Sequence, residues 1–291
     1  MPLFPFAQFE VAGRFGIADG RYLARDPEGD ADDVLVVSSL QAPRRGRRRR
    51  SRRAKEASDP ADIQSLPATR ATVVRATAFD DAEAAKQWLA GLRRNPDARD
   101  EFTEGARALV NLALHAHRAA AMDPYATELG PHTPIATRVG YGDGDELAAG
   151  SWREAVEAPP DPGRRRRAET LRPQERLAAV LAGRERIDAC ETLVLRARLD
   201  LEVGRTREAA LQLEPAVRAL LAEVSAQPGT DQAGDLERLR TRLHQVSHAA
   251  EQALGGDLPA ELTSVVADSL AGAERVLRRR RVLEHSPSSG T

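Results

Sequence analysis

The chain has 291 residues, 41% apolar and 30% charged, with a formal net charge of −1. This composition excludes a wholly disordered chain, and the near-neutral balance excludes a protein that is basic throughout. The length allows two domains, each with its own core, and aromatic residues at only 4% leave leucine, valine and alanine to fill those cores, as in packed helices.

Only Lys55 and Lys86 are lysines among 43 basic residues. That arginine skew fits a GC-rich genome as well as it fits a chemical choice. The lone Cys190 has no internal disulfide partner. No apolar run approaches the ~18 residues of a membrane span, so no membrane association is expected. The opening MPLFPFAQFE lacks a basic segment followed by a long apolar stretch, so no signal peptide is expected and a cytoplasmic location follows as the default.

In chain order, FAQFEVAGRF alternates with period two. Phe9, Val11 and Phe15 fall on one face and Glu10, Ala12 and Arg14 on the other. Asp19-Gly20 is a turn signal, and RYLAR after it predicts a hairpin with the first strand. The acidic DPEGDADD is a loop, and VLVVSSL from Val34 to Leu40 reads as a strand buried on both faces. PRRGRRRRSRRAK and the aperiodic EASDPADIQSLPAT follow, giving a basic disordered loop at about 42–68. ATVVRATAF, from Ala71 to Phe79, resumes as strand.

Asp80 or Asp81 can cap a first helix carrying Trp88, Leu89 and Leu92. Asn95-Pro96 starts a second, with Asn as N-cap and Pro at the first helical position. Phe102, Leu109, Val110 and Ala113 form its expected buried stripe, and it ends near Asp123-Pro124. TPIATRVGYG reads as a further strand, and GDGDELAAGSW as a turn with a short closing element. Residues 1–156 are therefore expected as an α+β domain of about four strands with two helices on one face. The Pro/Arg-rich segment 157–168 reads as a linker. Residues 169–284 read as an all-α bundle of about five helices, at 173–184, 187–203, 206–226, 233–255 and 259–284. Gly204, Gly255 and Gly256 supply helix stops, and 285–291 form a disordered tail.

Leu193, Ala197, Gly204, Ala209, Leu213 and Ala216 are spaced as in a tetratricopeptide helical hairpin, which residues 193–216 resemble. The resemblance implies two closely packed antiparallel helices turning at Gly204. Asp200 stands where that pattern has an aromatic residue and Leu221 where it closes on proline, and no second copy follows at that period. With one repeat rather than about three, the hairpin is expected inside a bundle and implies no peptide groove. The first half, with LHAHRAAAMDPY and RVGYGDG, resembles uncharacterised proteins of GC-rich bacteria, which implies no activity.

Candidate chemistry is sparse. His115 and His117 stand about 200° apart on a helix, so they share no zinc, and one is expected under the sheet with the other facing water. His244 and His248 have helical spacing, but Gln245 replaces the glutamate of a zincin motif, and they are expected to flank the bundle stripe. GYGDGD holds a GxGxG, yet Asp143, Asp145 and Glu146 oppose a phosphate there, so a tight turn requiring positive φ is the expectation. Cys190 lies on an apolar stripe and reads as a buried structural thiol. No catalytic set, cofactor or metal site is expected.

Three arginine tetrads remain, at 47–50, 164–167 and 278–281. The third lies on the last helix, where it favours the C-terminal dipole. Arg44, Arg45, Arg47, Arg48, Arg49, Arg50, Arg52 and Arg53 form a candidate polyanion-binding arm, whose phosphate contacts would release counterions. The same run also reads as a solvated linker balanced by the nearby acidic loop. No base-reading motif accompanies it. The expected function is that of a non-enzymatic interaction or adaptor protein binding an unidentified protein partner through its helical half. Non-specific nucleic-acid or ribosome association through the arginine runs is the alternative, and an enzyme with an interdomain site a third.

Overall fold

A computed structural model of the protein describes residues 1–25, 33–40, 67–159, 173–225 and 233–284. The chain divides into two compact units, Met1–Pro160 and Asp161–Thr291.

The first unit is built on an antiparallel sheet of six strands. These are β1 (Leu3–Ala12), β2 (Gly20–Ala24), β3 (Asp33–Leu40), β4 (Ala68–Val74), β5 (Ala136–Asp143) and β6 (Glu154–Glu157). Their order is β2-β3-β4-β1-β5-β6. The expected hairpin between the first two strands does not form. β1 sits in the middle of the sheet, with Phe6 opposite Val74 of β4 and Gly140 of β5. β2 pairs instead with β3, placing Tyr22 opposite Leu35. Gly13 adopts φ +88° just after β1 and its N–H donates to Pro67 O at 2.7 Å, which turns the chain away from a direct return. The sheet has six strands where about four are expected: the short closing element expected after β5 is a helix over Gly144–Ala148, and β6 follows it to form the far edge.

Two helices cover one sheet face. α1 (Ala82–Arg94) is capped by Asp81, whose carboxylate accepts from the Ala84 N–H at 2.8 Å. Asn95 ends α1 and caps α2 (Pro96–Ala121), accepting from the Ala98 N–H at 3.3 Å with Pro96 at the helix start, as the sequence predicts. The buried positions of α2 are Thr103, Ala106, Val110, Asn111 and Leu114. Of the predicted stripe only Val110 is central; Phe102, Leu109 and Ala113 are partly buried at its margins. Asn111 is held there because it exchanges two hydrogen bonds with the Leu129 backbone, at 3.2 and 2.7 Å. Phe9, Leu35, Val73 and Val139 meet this helical layer. Phe6, Val74 and Leu147 form a smaller core on the opposite face.

Gly140 and Gly142 are not turn residues. They lie within β5 with ordinary φ, and a Cβ on Gly140 would fall 2.1 Å from Glu154 O. The glycine is there for close strand approach, not for positive φ. Asp143 then caps the short helix α3 (Gly144–Ala148), accepting from the Glu146 and Asp145 N–H groups while Glu146 accepts from the Asp143 N–H.

The second unit is helical: α4 (Pro173–Leu181), α5 (Ala189–Glu202), α6 (Thr206–Ser225), α7 (Ala233–Gly255) and α8 (Ala260–Glu284). α5 and α6 form a hairpin closed by Gly204 at φ +81°. Ala197, Ala209, Leu213 and Ala216 are all fully buried in the core they share with Val266 and Leu270 of α8. Asp200 is buried as well, taking two hydrogen bonds from Arg205 at 2.8 and 2.6 Å. Arg207 closes the end of α7 by donating to the Ala253 and Leu254 carbonyls.

Candidate functional site

The last arginine tetrad is built into the helical unit. Arg279 reaches Asp235 of α7 at 2.8 Å, Arg280 reaches Asp188 at 2.7 Å, and Arg281 reaches Glu191 of α5 at 2.8 Å. Arg278 pairs with Glu274 one turn back at 3.7 Å. Four consecutive positions spread around α8, so they contact α7, the start of α5 and α8 itself. Arg279, Arg280 and Arg281 therefore tie α8 to α7 and to the start of α5, and are not merely charges favouring a helix end.

Glu191 is the hub. Its side chain is only 7% exposed and accepts from Arg176 of α4 at 2.7 Å and from Arg281 at 2.8 Å. The Asp188 N–H also donates to it at 3.4 Å. A carboxylate so enclosed is sustained by two guanidinium partners, because charge-assisted bonds offset its desolvation.

Above this knot lies a groove of about 490 Å³ between α4, α5 and α8, floored by Val194 and Leu277 and walled by Leu177, Val180, Ile187 and Leu195. The floor residues are buried, but Leu177 is 52% exposed, Ile187 62% and Leu195 66%. Leu181 and Leu199 extend the apolar surface on α4 and α5. No residue of α4 is fully buried, so this helix presents its apolar side chains without covering them. Single exposed leucines are ordinary, whereas here three aliphatic side chains, each more than half exposed, converge on one groove. The charged margin consists of Arg176, Arg278 and Arg281 with Glu191 and Glu274.

A second polar cluster, missed in the sequence, sits on the sheet face opposite α1 and α2. Glu10 pairs with Arg70 at 3.0 Å and Arg138 at 3.1 Å. Arg70 also donates to Gly150 O at 3.1 Å, and the Arg138 guanidinium lies 5.4 Å from the Trp152 ring centre. Gln8 is fully buried beside them, donating to Thr72 Oγ1 at 3.1 Å. The signal was present: Gln8 and Glu10 alternate along an otherwise apolar strand. Both arginines are already satisfied by Glu10, so the cluster reads as a structural polar layer.

The candidate arm, Arg44, Arg45, Arg47, Arg48, Arg49, Arg50, Arg52 and Arg53, lies outside the described residues, as do the tetrad 164–167, most of the 157–168 linker and the tail 285–291. The two helix histidines do not divide as expected: both are half-buried. His115 Nδ1 stands 3.0 Å from Arg118 Nη2, and His117 packs close to Gly16. His244 and His248 are exposed. Among the described residues no group of three or more His, Cys, Asp or Glu is placed to hold a metal ion. Cys190 is fully buried, and burial followed by a hydrogen bond from the thiol to Glu223 raises its pKa well above the usual range. No helix among the described residues is long and apolar enough to cross a membrane. No protein-family model, curated protein or solved structure significantly matches the chain.

Proposed function

We propose that the chain is an interaction protein that engages another protein through its helical half, at the groove between α4, α5 and α8. The observation that carries this reading is the convergence of Leu177, Ile187 and Leu195, each more than half exposed, on one groove above a buried ion-pair knot. The knot supplies rigidity and the uncovered aliphatic groups supply area. Burying a leucine-sized side chain fully gains about 1.5–3 kcal/mol, so a partner that covers these groups recovers a substantial association energy. In this reading α5 and α6 are a tetratricopeptide-like hairpin used as a scaffold. Its small contact residues hold α5 firmly, which fixes Leu195 and Leu199 on the outer side.

The test is affinity capture by the full chain, with and without nuclease, using the wild type and Leu195→Asp. Leu195 is largely exposed, so the substitution leaves the fold intact, which circular dichroism checks. Protein partners that survive nuclease and disappear with Leu195→Asp support the reading. Partners lost on nuclease treatment alone point instead to polyanion binding through the arginine runs and overturn it.

A further inference from the structure

Resting on this docking reading, we infer that α4 is a displaceable strap and not a fixed wall: it occupies the groove in place of a partner, latched by Arg176 on Glu191 and hinged at Gly183. The first ground is what α4 leaves unburied. The core of the helical unit is shared by α5, α6, α7 and α8, and no residue of α4 belongs to it or packs at its margin. Leu177 and Val180 of α4 instead face the groove beside Val194, Leu195 and Leu277. Even there Leu177 stays 52% exposed, and Leu181 is 79% exposed. A helix of nine residues is too short to persist alone in water, so α4 depends on what holds it in place.

The second ground is the latch. Arg176 donates to Glu191 at 2.7 Å and to the Arg186 carbonyl at 3.3 Å, and pairs with Glu185 at 3.4 Å. Glu191 keeps Arg281 at 2.8 Å when Arg176 leaves. The latch therefore opens without stranding a buried carboxylate, which would otherwise make opening costly.

The third ground is the hinge. Gly183 follows α4 at φ +69°, with open space where a side chain would stand. The Arg184 and Glu185 N–H groups donate to the Ala179 carbonyl at 2.9 and 3.3 Å. Ala182, Gly183 and Arg184 are all exposed, so the turn can swing without breaking a core contact. A segment with few buried apolar contacts opens at the low end of the range of local stabilities. Opening widens the groove above Val194 and Leu277. A partner must then compete with α4, whose tether gives it a high effective concentration.

Hydrogen exchange of the full-length chain, read segment by segment, tests the strap. Residues 173–182 are expected to exchange well before α5 and α6. Arg176→Ala should speed exchange in α4 about ten- to hundredfold, as loss of a charge-assisted hydrogen bond implies, while α6 is unchanged. Arg176→Lys keeps the charge without the forked geometry and should fall between. A labelled synthetic peptide of residues 173–187 then reads occupancy of the groove by fluorescence anisotropy. It should bind full-length Arg176→Ala more tightly than the wild type by the same factor that exchange rises, because the wild type's own α4 fills the site. Adding Leu195→Asp should abolish that binding.

Protection of α4 as strong as that of α6, exchange untouched by Arg176→Ala, or equal peptide binding by the two chains overturns the inference. So does a parallel loss of protection in α6, which would make Arg176 a support of the whole unit. If α4 proves fixed while nuclease-resistant, Leu195-dependent capture of a protein persists, the strap fails and the docking reading stands. If α4 opens and takes the peptide as expected but that capture does not depend on Leu195, the docking reading fails, and with it the strap's role in gating a partner.

Discussion

Replacing Glu191 by alanine probes the architecture beneath the groove most directly. The carboxylate is 7% exposed and accepts from Arg176, itself 15% exposed, and Arg281, 25% exposed. Removing it leaves two poorly solvated guanidinium groups facing each other, although Arg176 keeps Glu185 at 3.4 Å. It also removes the acceptor for the Asp188 N–H at the start of α5. Breaking a buried pair by deleting one partner costs about 3–5 kcal/mol, much of it the desolvation of the charges left behind. Glu191→Gln keeps the shape and one acceptor oxygen, so a smaller loss of about 1–3 kcal/mol is expected. Urea unfolding followed by far-UV circular dichroism reads both. With a slope of about 1–3 kcal/mol per molar urea, the alanine variant should unfold about 1–5 M earlier. Hydrogen exchange in α4 should rise in parallel, since Arg176 is its link to α5. A midpoint for Glu191→Ala equal to the wild type would refute the view that this knot holds α4 and α8 together.

Ala209→Leu places a large side chain in the fully buried contact between α5 and α6, so a loss of about 1–3 kcal/mol by overpacking is expected in denaturant titrations. The Asp143 carboxyl is held below the ordinary range by the Glu146 N–H first, and also by the Asp145 N–H and Arg153, with burial opposing. Its stabilising contribution is complete above the unfolded pKa of about 4 and is lost as pH falls through the lower folded value. Asp143→Asn keeps the cap acceptor without the titration, so melting temperature measured against pH should fall less steeply on acidification than in the wild type. Because burial raises the Cys190 pKa, a maleimide at mildly alkaline pH should label the native protein only as fast as the helical unit opens. Labelling as rapid as that of a free thiol would contradict the burial.

Local chemistry was readable from the residues, and non-local pairing was not. Asp81, Asn95 and Pro96 act within one helical turn, and their capping bonds form where the sequence places them. The partners of β1 come from residues 68–74 and 136–143. Period-two alternation tells which side chains share a face but not which strand lies alongside, so the nearby Asp19-Gly20 turn misleadingly suggested a hairpin. Gly140 shows the same limit, because only the approach of Glu154 reveals why a side chain is forbidden there. The tetrad at 278–281 reads in the sequence only as charge favouring a helix C-terminus, because Asp188, Glu191 and Asp235 stand 44 to 92 residues away in the chain. The groove was hidden for the opposite reason. Leu177, Ile187 and Leu195 look like ordinary core residues in an amphipathic pattern, and only their exposure in the folded unit distinguishes them.

Nuclease-treated capture with the full chain, comparing wild type and Leu195→Asp at equal folded concentration, tests the central claim most directly. The account predicts a protein partner retained by the wild type after nuclease and lost with the single aspartate. Retention of the same partner by Leu195→Asp, with the fold unchanged by circular dichroism, would contradict it.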